Sequence, residues 1–262
     1  MKKIFFALLV VSLCAANNVN SAGDLEARVA ALEALLAGAS RVGDTLVLEG
    51  MNLQIVNGLG ATDGDQGSGP QVNGLGNLIV GYDEGFAYND KSGSHNLVVG
   101  PLHSYSSYGG IVGGRHNTVS GIYATVIGGV SNRASGGNSS VSGGSYNTAS
   151  GVNSSVSGGN VNTASGTEAS VSGGHGSDAS GAWSSISGGL DSIASGLFSS
   201  ISSGTSNIAS GFGSHISGGA GNIISGNTSS ILGGVSNEVS HNYSVVLGGN
   251  GNVSTADFSI DP

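Results

Sequence analysis

A strict 15-residue period runs through the second half of the chain and restricts its fold more than any other feature. The motif Ala-Ser-Gly recurs at this spacing, starting at residues 134, 149, 164, 179, 194 and 209. A disordered low-complexity chain has no reason to restrict one position while its neighbours vary, so the 49 glycines do not indicate disorder here. In the same register, one column is always β-branched and aliphatic: Ile111, Val126, Val141, Val156, Val171, Ile186, Ile201, Ile216, Ile231 and Val246.

Each repeat contains two short stretches with the alternating pattern of a half-buried strand. In residues 140–142 and 148–150 an apolar residue lies between two polar ones, and glycines separate the two stretches. We therefore predict an all-β fold, a parallel β-solenoid of about ten stacked coils over residues 107–253. The β-branched column is its predicted core, and an alanine-rich column, from Val119 to Val239, is the second inward position.

A third column is almost entirely asparagine, with serine at positions 177 and 192. We expect these asparagines to lie at a turn and to form an amide ladder, each side chain bonding to its equivalents in the adjacent coils. That role is structural. The members of this predicted ladder are Asn117, Asn132, Asn147, Asn162, Asn207, Asn222, Asn237 and Asn252.

The outward position after the core residue is serine in the middle of the array and apolar near its ends. The apolar members are Val112, Ile127, Leu232 and Leu247. Two interpretations stay open: thicker packing near the two ends of the solenoid, or contact with a neighbouring chain at those levels.

The segment 1–22 has the layout of a secretory signal. A basic start at Lys2 and Lys3 precedes an apolar run, residues 4–16, that is too short to span a bilayer. We predict a signal peptide over 1–22 and a secreted protein, extracellular or at the surface of a bacterial cell. Cys14, the only cysteine, is lost with it, so no disulfide staples the mature chain. Lipid attachment at Cys14 is the alternative, which Leu13 disfavours because that processing needs a small residue there.

The charge of the mature chain excludes some partners. Without Lys2 and Lys3, five basic residues remain against sixteen acidic ones, a formal charge near −11. So acidic a surface argues against binding to nucleic acid or to anionic membrane surfaces. No other segment is long and apolar enough to cross a membrane, so we predict no integral membrane segment in the mature chain.

Residues 23–38 are predicted to form a short coiled-coil helix. Leu25, Val29, Leu32 and Leu36 follow a four-three-four spacing on one stripe, and Gly38 ends the segment. About two heptads are marginal as an isolated helix, so the stripe predicts oligomerisation with copies of itself. A single helix packed on the first coils is the alternative.

Residues 39–106 are predicted to form an irregular, strand-rich entry region, and residues 254–262 a C-terminal tail. Residues 77–81 match residues 96–100 in type and order, which indicates two degenerate early coils. The segment 62–69 resembles a calcium loop in composition, with Asp63 and Asp65 among glycines. It lacks the spacing and the closing glutamate, so a solvated turn is favoured.

The sequence offers little catalytic chemistry. None of the six histidines has metal-ligand spacing, the serines lack an associated base, and Asp178, Glu168 and Asp191 form no motif. We therefore predict no enzyme, no cofactor and no metal in the repeats. Aromatic residues before the regular coils are interpreted as a cap on the solenoid or as a contact patch: Tyr82, Phe86, Tyr88, Tyr105 and Tyr108.

The repeat Gly144-x-x-Asn-x-Ala-x-Gly151-x-x-Ser-x-Val-Ser-Gly resembles the 14-residue, haemagglutinin-type head repeat of trimeric autotransporter adhesins. The Gly144 to Gly151 half has the family spacing, the other half is one residue longer, and the likeness covers residues 107–253. It implies a left-handed β-roll, a homotrimer with chains side by side, and binding to host or neighbouring surfaces. Those adhesins end in an apolar, aromatic-rich membrane anchor, whereas residues 257–262 are polar and acidic, so we expect a variant without that anchor.

Two functions are consistent with the sequence. The leading hypothesis is a secreted, adhesin-like or surface-matrix protein that presents a trimeric β-roll for attachment to a host, matrix or glycan surface. The alternative is an ice- or crystal-surface-binding solenoid. It rests on the flat rank of serines that residues 140 and 142 begin and residues 185 and 187 continue.

Overall fold

The computed structural model describes residues 22–64 and 71–262. The chain divides into two compact units, with the boundary between Gln54 and Ile55. The predicted signal peptide, apart from its last residue, lies outside the described residues, as does Asp65 of the loop compared with calcium sites.

The first unit contains one helix and one hairpin among its described residues. Helix α1 spans Ala22–Leu35. The carboxylate of Asp24 in the first turn interacts favourably with the positive end of the helix dipole. After the helix, Gly38 takes the left-handed conformation (φ +91°) with which helices commonly end. Strands β1 (Ala39–Val42) and β2 (Thr45–Leu48) then pair as an antiparallel hairpin.

The second unit is a β-solenoid, as predicted, and all of its described strand pairs are parallel. One sheet has 13 strands and the other has 10, so 12 turns connect the successive strands of the longer sheet, compared with about ten predicted coils. The longer sheet, sheet A, contains β3 (Leu78–Val80), β4 (Leu97–Val99), β6 (Ile111–Gly113), β8 (Thr125–Val126), β10 (Ser140–Val141), β12 (Ser155–Val156), β14 (Ser170–Val171), β16 (Ser185–Ile186), β18 (Ser200–Ile201), β20 (His215–Ile216), β22 (Ser230–Ile231), β24 (Val245–Val246) and β25 (Ile260–Asp261). The shorter sheet, sheet B, contains β5 (Ser104–Tyr105), β7 (Thr118–Val119), β9 (Arg133–Ala134), β11 (Thr148–Ala149), β13 (Thr163–Ala164), β15 (Asp178–Ala179), β17 (Ile193–Ala194), β19 (Ile208–Ala209), β21 (Ile223–Ile224) and β23 (Glu238–Val239).

The core lies between the two sheets and repeats once per coil. From Val126 to Val246 the β-branched column of sheet A is at most 1% exposed, and it faces the alanine-rich column of sheet B. Glycine closes the coil where backbones of adjacent coils approach: a Cβ atom on Gly151 would clash with the carbonyl oxygen of Gly166. Each buried Val or Ile is worth about 1.5–3 kcal/mol, so the stack holds together through contacts between neighbouring coils.

The prediction of a core position at Ile111 is wrong. Ile111 is 42% exposed, and Val112, which was assigned to the outward column, is fully buried. Ile111 pairs with Thr125 and Val112 with Val126, so this coil is one residue shorter than the regular ones. Counting back 15 residues from Val126 therefore gives Ile111, one residue before the true core residue Val112. A shift of one residue in register exchanges the two faces of a strand.

The solenoid also extends beyond the predicted limits of 107–253. The two early segments pair in the predicted register, with Leu78 beside Leu97 and Val80 beside Val99, inside the segment 39–106 that was assigned to the entry region. At the other end, Ile260–Asp261 pairs with β24 and so adds a strand from the predicted tail, 254–262.

Candidate binding surface

The asparagine column lies inside the turns, but its hydrogen bonds differ from the predicted amide ladder. From Asn117 to Asn237, each asparagine Oδ1 accepts the backbone N–H of the next residue in the column, at 2.7–3.0 Å. The Nδ2 of Asn147 donates to the carbonyl of Gly143 in its own coil and of Gly159 in the next, both at 3.0 Å. A direct amide–amide bond joins Asn237 to Asn222. The asparagines therefore satisfy main-chain groups inside the turn.

A second inward column, of serines, occupies the other turn and was not singled out from the sequence. Its hydroxyls at Ser139, Ser154, Ser184, Ser199 and Ser214 are buried and make no hydrogen bond. Toward the C-terminal end, Ser229 Oγ instead accepts the Ser244 N–H at 3.0 Å. The signal was present, because serine or alanine recurs there at the repeat period. Both turns are thus filled by side chains, and binding chemistry must come from outward positions.

The early coils contain a cluster of polar side chains beneath their surface. Lys91 Nζ lies 2.9 Å from Asp83 Oδ1, and the hydroxyl of Tyr105 donates to Asp83 Oδ2 at 2.9 Å. Burial, together with the hydrogen bond and charge of Asp83, raises the pKa of Tyr105. His103 is fully buried, and this burial lowers its pKa. Asp83 thus binds Tyr105 and Lys91, while the His103 ring bonds to the main chain of Val99 and Asn117, and these internal partners support the interpretation of a cap.

The aromatic residues of the early coils divide between the core and the surface. Tyr105 and Tyr108 are buried, whereas Tyr82, Phe86 and Tyr88 are 94%, 51% and 70% exposed. Phe86 and Tyr88 stack with ring centroids 5.2 Å apart. The predicted cap and the predicted contact patch therefore involve different residues.

The outward face of sheet A is a serine rank with apolar ends. Ser140, Ser155 and Ser170 are paired in register and half-buried. His215 replaces serine in this rank and lies between the hydroxyls of Ser200 (2.8 Å) and Ser217 (3.0 Å). The exposed residues at the ends of the neighbouring column are Ile127, Leu232 and Leu247.

The outward face of sheet B is chemically mixed. Ile193, Ile208 and Ile223 form a short aliphatic rank on three successive coils, between Asp178 and Glu238. Burial raises the pKa of Asp178. Asp178 Oδ1 is buried and has no hydrogen-bond partner among the described residues.

A third surface follows the turn that leads from sheet B back to sheet A. There Trp183, Phe198 and Phe212, which we call the aromatic corner, are 47%, 50% and 48% exposed. Trp183 stacks on Phe198 with a centroid distance of 5.1 Å and an interplanar angle of 19°. Phe198 meets Phe212 edge to face at 5.7 Å and 85°. Trp183 Nε1 donates to Glu168 Oε2 at 2.8 Å, which fixes the indole orientation.

Sequence reasoning missed the aromatic corner because only the columns of uniform residue type were followed. Trp183 and Phe198 share one repeat position on successive coils. Other coils carry polar residues there, such as Glu168 and Thr228, or further aromatic ones, of which Tyr243 and Phe258 stack at 5.0 Å. Phe212 precedes the equivalent position by one residue. Only the fold shows that these three rings meet on adjacent coils.

Among the described residues, no group of three or more His, Cys, Asp or Glu side chains could hold a metal ion, and no helix is long and apolar enough to cross a membrane. His175 and Asp191 form an exposed pair, with Nδ1 3.6 Å from Oδ1. His95 Nε2 accepts the Asn57 N–H at 3.1 Å, and its Nδ1 lies 2.8 Å from the Thr62 carbonyl oxygen, so it secures the preceding loop.

No protein-family model matches this sequence, and no curated protein matches it. The likeness to the head repeats of trimeric autotransporter adhesins therefore stays a prediction from the repeat itself.

Proposed function

We propose that this protein is a secreted, non-enzymatic, adhesin-like solenoid that assembles as a homotrimer and attaches to a host, matrix or glycan surface. One observation carries the proposal: the apolar stripe of the N-terminal helix is exposed. Leu25, Val29 and Leu36 are 59%, 44% and 46% exposed, and Leu32 is half-buried.

A helix of this length needs a partner. Helix α1 has 14 residues and would be marginal alone, since most helical stability comes from packing of an apolar face. Leu36 lies just beyond the last helical residue, and its N–H still bonds to the Leu32 carbonyl at 3.0 Å, which continues the stripe. Copies of the same stripe would cover one another in a short coiled coil.

The assembly is tested by the solution mass of the full secreted chain, measured by light scattering. We expect a trimer that dissociates when residues 23–38 are deleted or when Leu25 and Leu32 are both changed to Glu. The matched control is Ala27→Glu with Ala34→Glu, which has the same seven-residue spacing on the opposite side of the helix. A monomer in every case would refute the trimer.

Attachment is tested separately, by retention of the purified protein on cells, extracellular-matrix polymers and immobilised glycans. We expect retention on at least one of these surfaces, and stronger retention for the trimer than for the dissociated double variant, because linked sites raise the apparent affinity. Retention on none of them would refute the adhesive function even if the trimer is found.

The serine rank of sheet A favours one alternative function, binding to ice or to another crystal surface. The parallel register places equivalent hydroxyls on successive coils, with Ser140 beside Ser155 and Ser185 beside Ser200. Ice-binding faces usually carry threonine, whose methyl group adds apolar contact, and this rank carries serine. Thermal hysteresis with altered ice-crystal shape would support this alternative, and normal freezing would dismiss it.

A further inference from the structure

We propose that the aromatic corner binds a neutral polysaccharide whose chain lies along the solenoid axis. The inference rests on the proposed attachment function and names its ligand class. It begins with three exposed rings on consecutive coils, of which Trp183 is held in place by Glu168.

The aromatic residues occupy a backbone position that does not favour them. Trp183 and Phe198 have φ values of +53° and +59°, and Gly213 holds the same position in the next coil at +60°. A left-handed conformation is unfavourable for any non-glycine residue. Stacking of the two rings adds a modest gain beyond burial, which at most offsets that cost. Nearly half of each side chain still faces solvent, so stability alone does not account for the rings.

Polar groups border the rings at both ends of the corner. Toward the N-terminal end lie the exposed Thr167, Glu168 and Asn153, and toward the C-terminal end lie Asn227 and Thr228. A pyranose ring has apolar C–H groups on its faces and hydroxyls around its rim. Aromatic rings with a few polar groups at their margin fit that division, since binding sites combine apolar surface with a small number of orienting polar groups.

The charge of this region selects a neutral ligand. Residues 134–262 contain no lysine or arginine, whereas Glu168 lies at the corner itself. Sulfated, phosphorylated or carboxylated polymers would find no cation to pair with and would be repelled by the carboxylate. The hydroxyls of a neutral polysaccharide can instead donate to the carboxylate oxygens.

The test uses the fact that Trp183 is the only tryptophan of the chain, so tryptophan emission, excited at a wavelength where tyrosine does not absorb, reports on the corner. The full secreted chain is titrated with hydroxyethylcellulose, laminarin and soluble xylan as neutral probes and with dextran sulfate as an anionic one. We expect a shift of the tryptophan emission and slower migration in gels containing at least one neutral probe, and neither effect with dextran sulfate.

The variant Phe198→Gly removes a stacking ring, keeps the fluorophore, and places glycine where Gly213 shows that the backbone accepts it. We expect about 5–10-fold weaker binding, the equivalent of losing one aromatic contact. The matched control is Tyr146→Gly. Tyr146 is a 61% exposed aromatic residue with φ +55° at the other turn, and its substitution should leave the affinity unchanged.

The inference is overturned if no neutral probe binds, if Phe198→Gly binds as tightly as the parent, or if Tyr146→Gly weakens binding equally. A change of solution mass in Phe198→Gly would instead assign the corner to an interface between copies and would also overturn it. If the corner binds no polysaccharide but the protein is still retained on cells or matrix, this inference fails and the proposed attachment function stands.

Discussion

The early coils and the regular coils build one fold in two different ways. Between Leu78 and Val112 the coils have irregular lengths, since Leu78 pairs with Leu97 and Leu97 with Ile111, and they bury large or ionisable side chains such as Tyr105 and His103. From Val126 onward, every coil keeps the same period and buries one aliphatic residue of sheet A, one alanine or aliphatic residue of sheet B, and one small or polar residue in each turn.

The difference shows where each region obtains its specificity. A regular coil is specified by its neighbours, because identical positions stack and one hydrogen-bond pattern serves all coils. An early coil has no identical neighbour and is specified by individual contacts, such as the Tyr105–Asp83 hydrogen bond and the Asp83–Lys91 ion pair. Substitutions should therefore act through the main-chain ladder in one region and through unique side-chain partners in the other.

The largest effect is expected for Asn147→Ala in the regular coils. The change removes the hydrogen bonds of the Asn147 amide to the carbonyls of Gly143 and Gly159 and leaves the N–H of the buried Asn162 without its acceptor. Each buried group that loses its partner costs about 1–3 kcal/mol, so we expect the free energy of unfolding in denaturant titration to fall by about 2–5 kcal/mol. Asn160→Ala is the control, because Asn160 bonds to the Ser145 hydroxyl at the surface, and a loss as large there would contradict the ladder's role.

In the early coils, the corresponding substitution is Tyr105→Phe. It removes the hydroxyl that donates to Asp83, and hydrogen bonds to charged groups are worth about 1.5–3 kcal/mol. We expect a loss of about that size in the free energy of unfolding, with faster hydrogen exchange confined to the early coils. Tyr123→Phe, at a 51% exposed tyrosine, should change neither quantity. Equal exchange throughout the solenoid would show that the early coils do not depend on their own contacts.

The same contrast explains which parts of the fold could be predicted from the sequence. Where the repeat is strict, its columns identified the buried residues, because position within the coil decides burial. At Ile111 the shortened coil broke that rule, and nothing in a fixed period signals a deletion. The aromatic corner was not predicted because its column mixes aromatic with polar residues and Phe212 lies one position outside it, so the contact between the three rings follows only from which coils are adjacent in space.

Ser177→Asn is expected to increase stability, by less than the losses predicted above. It places asparagine in a regular coil that has serine in the asparagine column. Ser177 Oγ is buried without a hydrogen bond, while its N–H is bound by Asn162 Oδ1 at 3.0 Å. An asparagine there could donate to main-chain carbonyls as Asn147 does, for a net gain of about 1 kcal/mol. Ser180→Asn, at an exposed position, should have no effect. A loss of stability in Ser177→Asn would show that this turn has a different geometry.

The smallest effect, visible only in acid, is expected for His103→Asn, which places the regular ladder residue in an early coil. His103 Nδ1 accepts the Asn117 N–H at 3.1 Å, and Nε2 donates to the Val99 carbonyl at 3.1 Å, so the buried ring is neutral. Burial lowers its pKa below the ordinary value of 6.5, although its main-chain hydrogen bonds and, less strongly, the charge of Asp83 act in the opposite direction.

The unfolded chain therefore binds a proton more readily than the folded one at this histidine. Its contribution to stability is complete above pH 6.5 and is lost as the pH falls below that value. We expect His103→Asn to match the parent near pH 8 and to lose less stability than the parent between pH 6.5 and 5, measured by denaturant titration at each pH. The control is His116→Asn, which changes a half-buried histidine whose Nδ1 lies 3.2 Å from the Ser131 hydroxyl. If the parent and His103→Asn lose stability in parallel, the buried histidine is not what distinguishes the early coils in acid.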